Sequence, residues 1–353
     1  ERKTENLREN LTMMTLLLFL LAFLLLTGGS ELISRGTSSI ARHLSISETM
    51  IGITIIAFST SAPEFLVNIF SSIKGYPDIS FGNIIGSNIF NLFVITGIIG
   101  TFSQICLKRS IIFKLLPFSI VTTLIFWIII NDVAFFGSET NTLSQLDGGI
   151  LVLGLFQFFI FFFIYQAAMS KIREGRSYEV RIPDLLTKPY IKKEPEAENS
   201  PGLIYSIPFS VFCFIIGLVL VIAGGYLVVR EAVEVSMQFN TSLKLLSVCV
   251  ISVLTSVPEL IVSYISARRG QSDLAVANIL GSNIFNIAFI MGLSALIRPL
   301  AFNTAFNTDI LVLLIGTSAL YLFCRGERSV QRIEAVSLLA IYAAYFVFVI
   351  IRG

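Results

Sequence analysis

Charge is scarce in this sequence. Only 14% of its 353 residues are Asp, Glu, Lys or Arg, 55% are hydrophobic, and the mean hydropathy is +0.83. So few charges cannot dress the surface of a soluble domain, which carries roughly 25% charged residues. Histidine is nearly missing: His43 stands alone. Nothing supplies a nucleophile–base pair or a paired-aspartate motif, so no catalytic residue is assigned and an enzyme is not expected. The four cysteines, Cys106, Cys213, Cys249 and Cys324, have no paired spacing and lie in or beside apolar stretches, where they read as packing residues. A net charge of +2 gives no reason to expect nucleic acid as a partner, and no sequence feature calls for a cofactor. No Lys or Arg lies at the centre of any long apolar run, so a buried acid there has no built-in cation to pair with.

What the sequence does have is apolar runs of roughly 20 residues, long enough to cross a hydrocarbon core of about 30 Å. They fall near 11–34, 48–73, 78–101, 110–131 and 148–170, then near 203–228, 245–268, 273–297, 308–325 and 332–351. The expected fold is an all-α integral membrane protein with ten transmembrane helices. The first run has the look of a signal peptide but no small-x-small cleavage site, and it is read as a span. With ten spans, 17 of the 25 Lys and Arg collect on one face, seven of them between Lys171 and Lys193. The positive-inside rule makes that face cytoplasmic and puts both termini outside. The short central loop suggests a cell (inner) membrane location.

The chain is also written twice. Sliding it by 195 residues aligns Thr60–Gly97 with Thr255–Gly292 at 18 identities in 38 positions, and "GNIIGSNIFN" from Gly82 faces "ANILGSNIFN" from Ala277. An ungapped match over two helices and their loop is a repeat. Residues 1–170 form the first unit, with its motif at 52–97, and 203–353 the second, with its motif at 247–292. A charged linker, 171–202, joins them. Five spans per unit force the second to insert upside down, giving two inverted five-helix repeats.

Inside each repeat sits an acid that membrane insertion disfavours by about 2.5–3.5 kcal/mol. "STSAPEFLVNIF" from Ser59 carries Glu64, and "LTSVPELIVSYI" from Leu254 carries Glu259. Thr60 and Ser61 share a helix face with Glu64, as Thr255 and Ser256 do with Glu259. Ser87 and Asn91, and Ser282 and Asn286, are i and i+4 on the helices that follow. Pro63 cannot donate to the carbonyl of Ser59, nor Pro258 to that of Leu254, and those carbonyls need other partners. Gly86 and Gly281 allow close approach or unwinding. Gathered near the midplane, these carboxylates, amides and hydroxyls form an oxygen-only set that suits Ca²⁺ and Na⁺ better than zinc or copper. Asn83 and Asn278 are expected to border that set, Asp78 and Asp273 to act as N-caps, and Trp127 to face lipid or core.

The motifs "TSAPE…GNIIGSNIFN" and "TSVPE…ANILGSNIFN" resemble the two alpha repeats of the calcium/cation antiporter superfamily, most closely its prokaryotic Na⁺/Ca²⁺ exchanger branch. The resemblance implies that Thr60, Ser61, Glu64, Ser87 and Asn91, with Thr255, Ser256, Glu259, Ser282 and Asn286, line clustered cation sites. It also implicates the backbone carbonyls of Ala57 and Ser252. The expected function is secondary active exchange of Na⁺ for Ca²⁺ by alternating access, in a functional monomer set in membrane lipid. Movement of the first and sixth spans is expected to switch the facing of the site, with Gly28–Gly29 and Gly224–Gly225 sliding against the core. Asn286 departs from some relatives, including potassium-dependent ones, which carry Asp there. The alternatives are an H⁺-coupled or K⁺-dependent antiporter and, in a different class, a passive cation channel.

Overall fold

A segment in hydrocarbon must satisfy every backbone donor and acceptor internally, and for a single apolar run the helix does so. The computed structural model is accordingly helical, with two small pairs of two-residue strands in its loops. It describes residues 2–44, 57–102, 105–109, 111–173, 205–327 and 329–353. Among them seven helices are long and apolar enough to cross a membrane, and Leu243–Thr255 with Val257–Arg268 makes an eighth as a pair bent by 42°. Of the span expected near 48–73, the structure describes α2 (Ala57–Thr60) and α3 (Ala62–Lys74); residues 45–56 lie outside the described residues. The run near 148–170 is covered by Gln145–Arg173. Of the linker at 171–202, residues 174–202 lie outside the described residues.

Two helical hairpins occupy the centre. In the first, α3 turns at Gly75 into α4 (Pro77–Ile89); in the second, α6 (Val257–Arg268) turns at Gly270 into α7 (Ser272–Phe285). Gly75 and Gly270 sit at equivalent repeat positions and share a left-handed backbone, φ 78° and 77°, which favours glycine. Both α4 and α7 run on through a widened π turn, Phe90–Ile95 and Asn286–Met291. Of the most apolar 18-residue stretch, 83% is buried in 77–102 and 72% in 274–297, against only 22% in 332–352, so the polar repeats lie inside and the plain apolar helices lie outside them. Asp78 and Asp273 each lie one residue inside the first turn, and the N-cap positions fall to Tyr76 and Gln271. This corrects the capping expectation: the proline at 77 and the serine at 272 already belong to the helix.

Outside the hairpins, α1 (Arg2–His43) runs along α5 (Ile207–Phe239) on a seam of small residues. A Cβ on Gly29 would stand 2.7 Å from the carbonyl oxygen of Gly217, and one on Gly217 would stand 2.7 Å from that of Gly29. Gly224 closes the same way on Ala22 and Leu26, while Gly225 alone of the expected glycines meets the core, at Leu66 and Phe70. A Cβ on Gly28 would meet nothing within 4 Å. Gly29 and Gly224 thus join α1 to α5, because neither helix leaves room for a side chain at those points. Strands tie the loops of the two halves: Ile105–Cys106 pairs with Ser329–Val330, and Thr142–Leu143 with Leu300–Ala301.

Gly217→Leu should therefore lower the melting temperature of the purified protein, at a cost of about 1–3 kcal/mol for overpacking. Gly149→Ala, where an added Cβ meets nothing within 4 Å, should not. Equal melting of the two variants would contradict the seam.

Candidate functional site

The site begins with a broken helix. Proline at the second position of a helix supplies no N–H and crowds the preceding turn. The chain answers identically in both repeats: Ser61, between α2 and α3, has φ −83° and ψ 8°, and Ser256, between Ser252–Thr255 and α6, has φ −83° and ψ 5°. The carbonyl of Ser59, which Pro63 cannot reach as a donor, accepts from Ser30 Oγ of α1 at 2.5 Å.

Each serine reaches the other repeat's acid. Ser61 Oγ donates to Glu259 Oε1 at 2.9 Å, and Ser256 Oγ donates to Glu64 Oε1 at 3.1 Å. Both glutamates are fully buried. Ser87 Oγ lies 3.5 Å from Glu64 Oε1, 3.2 Å from the carbonyl oxygen of Ser252 and 3.4 Å from Thr255 Oγ1. Thr255 Oγ1 in turn is 3.1 Å from Asn83 Oδ1, to which it donates. Thr60 is buried in the same break, and Ala57 is the first described residue of α2, with its side chain outside the described part.

One turn along the central helices, four asparagines cross. Asn88 Nδ2 donates to the carbonyl of Asn283 and Asn283 Nδ2 to the carbonyl of Asn88, both at 3.1 Å. Asn91 Nδ2 donates to Asn283 Oδ1 at 3.2 Å, and Asn286 Nδ2 to Asn88 Oδ1 at 3.0 Å. Among the described residues nine buried side-chain oxygens have no hydrogen-bond partner, and five of them belong to the expected cation ligands: Glu64 Oε2, Glu259 Oε2, Asn91 Oδ1, Asn286 Oδ1 and Ser282 Oγ. The other four are on Glu231, Thr241, Asn278 and Ser294. Buried polar atoms are paired as a rule, and acceptors in this state are what a desolvated cation requires. Among the described residues no group of three or more His, Cys, Asp or Glu could hold a metal, so the set is two carboxylates with neutral oxygens.

Sequence reasoning passed over Asn88, Asn283, Asn68 and Ser30. Asn88 and Asn283 are identical in the two repeats, a signal that could have found them. Asn68 extends the first hairpin's polar interior: it accepts from Asn83 Nδ2 at 2.8 Å, donates to the carbonyl of Ser80, and its own carbonyl accepts from Ser71 Oγ. The second hairpin has Ser263, Ser266 and Ala275 at those positions, with Asn278 donating to Ser263 Oγ at 3.1 Å. A Cβ on Gly86 would collide with Ser252, the close approach expected there, but one on Gly281 would meet nothing within 4 Å. Trp127 packs half-buried against the core, as expected, and its Nε1 donates to Asn307 Oδ1 at 2.9 Å.

Comparison with known proteins places these features in company. The model of the sodium/calcium exchanger protein family matches residues 14–165 and 209–351. A putative antiporter, CaxA, from Alkalimonas amylolytica is 31% identical over 332 residues, covering 92% of this chain and 95% of the relative. The sodium/calcium exchanger MaX1 from Methanosarcina acetivorans is 26% identical over 349 residues, covering 94% and 97%. A solved structure of the sodium-calcium exchanger NCX_Mj, soaked with Na⁺ and Sr²⁺, superimposes with a TM-score of 0.59 at 28% identity, over 94% of this chain and 98% of that one.

A ligand for the five open oxygens should hold the folded state. Adding Ca²⁺ at about 100 times its Kd should stabilise the purified protein by about 2.7 kcal/mol, read as a rise in melting temperature, and Glu64→Gln should erase most of that rise. A Ca²⁺-dependent rise of full size in E64Q would remove Glu64 from the site.

Proposed function

The chain belongs to the sodium/calcium exchanger family, a family of multi-pass membrane antiporters, and from that premise we propose that it exchanges Na⁺ for Ca²⁺ by alternating access. In this reading the ions bind in turn near the membrane midplane, at overlapping positions between Glu64 and Glu259. Thr60, Ser61, Ser87 and Asn91, Thr255, Ser256, Ser282 and Asn286, with the carbonyls of Ala57 and Ser252, supply the remaining oxygens. The observation that carries the proposal is the set of five unpartnered buried oxygens among these residues, two of them on carboxylates with no cationic side chain among their hydrogen-bond partners.

Charge makes the exchange mutual. Two carboxylates in a desolvated pocket are costly unless neutralised, and they balance one Ca²⁺ or two Na⁺. A new ion therefore has to arrive for the old one to leave. Were a third Na⁺ to enter per Ca²⁺, one net charge would cross, worth about 2.3 kcal/mol per 100 mV. Ten spans arranged as two inverted repeats account for the hydrogen bonds that recur with the halves exchanged, from Ser61 to Glu259 and Ser256 to Glu64, and between Asn88 and Asn283 in both directions. The same plan sets the protein in the cell membrane as a monomer, with both termini outside and the linker in the cytoplasm.

Counterflow in reconstituted vesicles tests this. Vesicles loaded with Na⁺ and diluted into Na⁺-free medium should take up labelled Ca²⁺, and Glu64→Gln or Glu259→Gln should abolish uptake while the protein still purifies as a folded species. Uptake driven by a pH step and indifferent to Na⁺ would replace this reading with H⁺ coupling. Uptake that requires K⁺ would replace it with the K⁺-dependent kind, and unitary currents would make the protein a channel.

A further inference from the structure

Asn88 and Asn283 are not among the oxygens expected to touch a cation, yet they decide which atom of Asn91 and Asn286 faces the pocket. An amide's orientation follows from what it is anchored to. Main-chain carbonyls only accept, so the atom of Asn88 that lies 3.1 Å from the carbonyl oxygen of Asn283 is Nδ2, and the return contact from Asn283 to Asn88 is set the same way. Each amide must then turn its oxygen in the other direction. That oxygen needs a donor: Asn88 Oδ1 takes Asn286 Nδ2, and Asn283 Oδ1 takes Asn91 Nδ2. With their nitrogens held, Asn91 and Asn286 are left presenting Oδ1, and both of these oxygens are buried without a partner.

We propose that Asn88 and Asn283 are positioning residues that present amide oxygens at 91 and 286 and admit an amide there but not a carboxylate. The inference rests on reading the pocket as a Ca²⁺ and Na⁺ site. A carboxylate at 286 would set one acceptor against another, because Asn88 Oδ1 stands 3.0 Å from the atom now at Nδ2. Asn88 cannot turn to meet it without setting its own oxygen against the carbonyl of Asn283. The same holds for position 91 and Asn283. The count of two carboxylates is thus enforced by neighbours of the ligands as well as by the ligands. A pocket evolving towards a third acid would have to rebuild this crossing first.

A double-mutant cycle in the full chain, with the Ca²⁺ Kd measured by titration calorimetry, tests the assignment. Asn88→Leu removes the acceptor, frees the amide of Asn286 to turn its donor inward, and should weaken Ca²⁺ binding about tenfold, the scale of one hydrogen bond. Asn286→Asp alone should also weaken binding. Placed in the N286D background, N88L removes the opposed acceptor and should strengthen binding by about threefold, a reversal of sign that additive effects do not produce. A residue that only held two helices together would weaken binding in both backgrounds. Weakening in both, or no change in the native one, overturns the proposal.

Glu64→Gln in the same assay separates this inference from the reading beneath it. If E64Q binds Ca²⁺ like the native chain, both fall; if E64Q loses binding while the cycle shows one sign, only the assignment of Asn88 and Asn283 falls. Should N88L fail to fold, the equivalent cycle of Asn283→Leu with Asn91→Asp is read by the same criterion.

Discussion

The structure depends on an exchange of hydroxyls: the serine three residues before each buried glutamate serves the glutamate of the other half. A carboxylate inside a bilayer has to be met by donors or by a cation. Meeting it from its own helix would leave the two halves independent. Meeting it from the opposite helix makes each half incomplete alone, and the broken backbone at Ser61 and Ser256 allows the reach. The asparagine pairs follow the same rule, trading donors across the middle.

Much of this was legible in the sequence for a physical reason. Acid, proline and hydroxyl residues are disfavoured in a greasy span, so their presence stands out, and their recurrence 195 residues later argues against chance. Glu64, Glu259, Asn91, Asn286 and Ser282 could be picked because each breaks the pattern around it. Asn88 and Asn283 broke it equally, but their part is to orient another side chain, and orientation has no signature in one dimension. The π turns at Phe90–Ile95 and Asn286–Met291 were hidden too, since the flanking residues are ordinary helix formers. The N-cap reading of Asp78 failed because a two-residue shift at a helix start is invisible without the backbone.

The chemistry of the pocket is that of hard ions loosely held. Carboxylate and amide oxygens, with no thiolate and no imidazole, bind through charge and dipole, and an ion so bound can be displaced by another of the same kind. That suits an exchanger better than a resident metal would. In the proposed exchange the donors that hold the ligands come from protein, so the geometry can persist while cargo changes. Amide oxygens at two positions would then keep the local charge low, so that neither ion is trapped.

The hydroxyl of Ser30 on the carbonyl of Ser59 has a consequence for symmetry. Its repeat partner at an offset of 196 is Tyr226, whose ring instead lies under the ammonium of Lys74, 4.1 Å from the centroid. Both contacts fall on the first hairpin, which the long helix pair grips by a polar contact just before α3 and an aromatic one at its last turn. Loosening one leaves the other in place, so the pair can shift at one end of α3 while it stays anchored at the other.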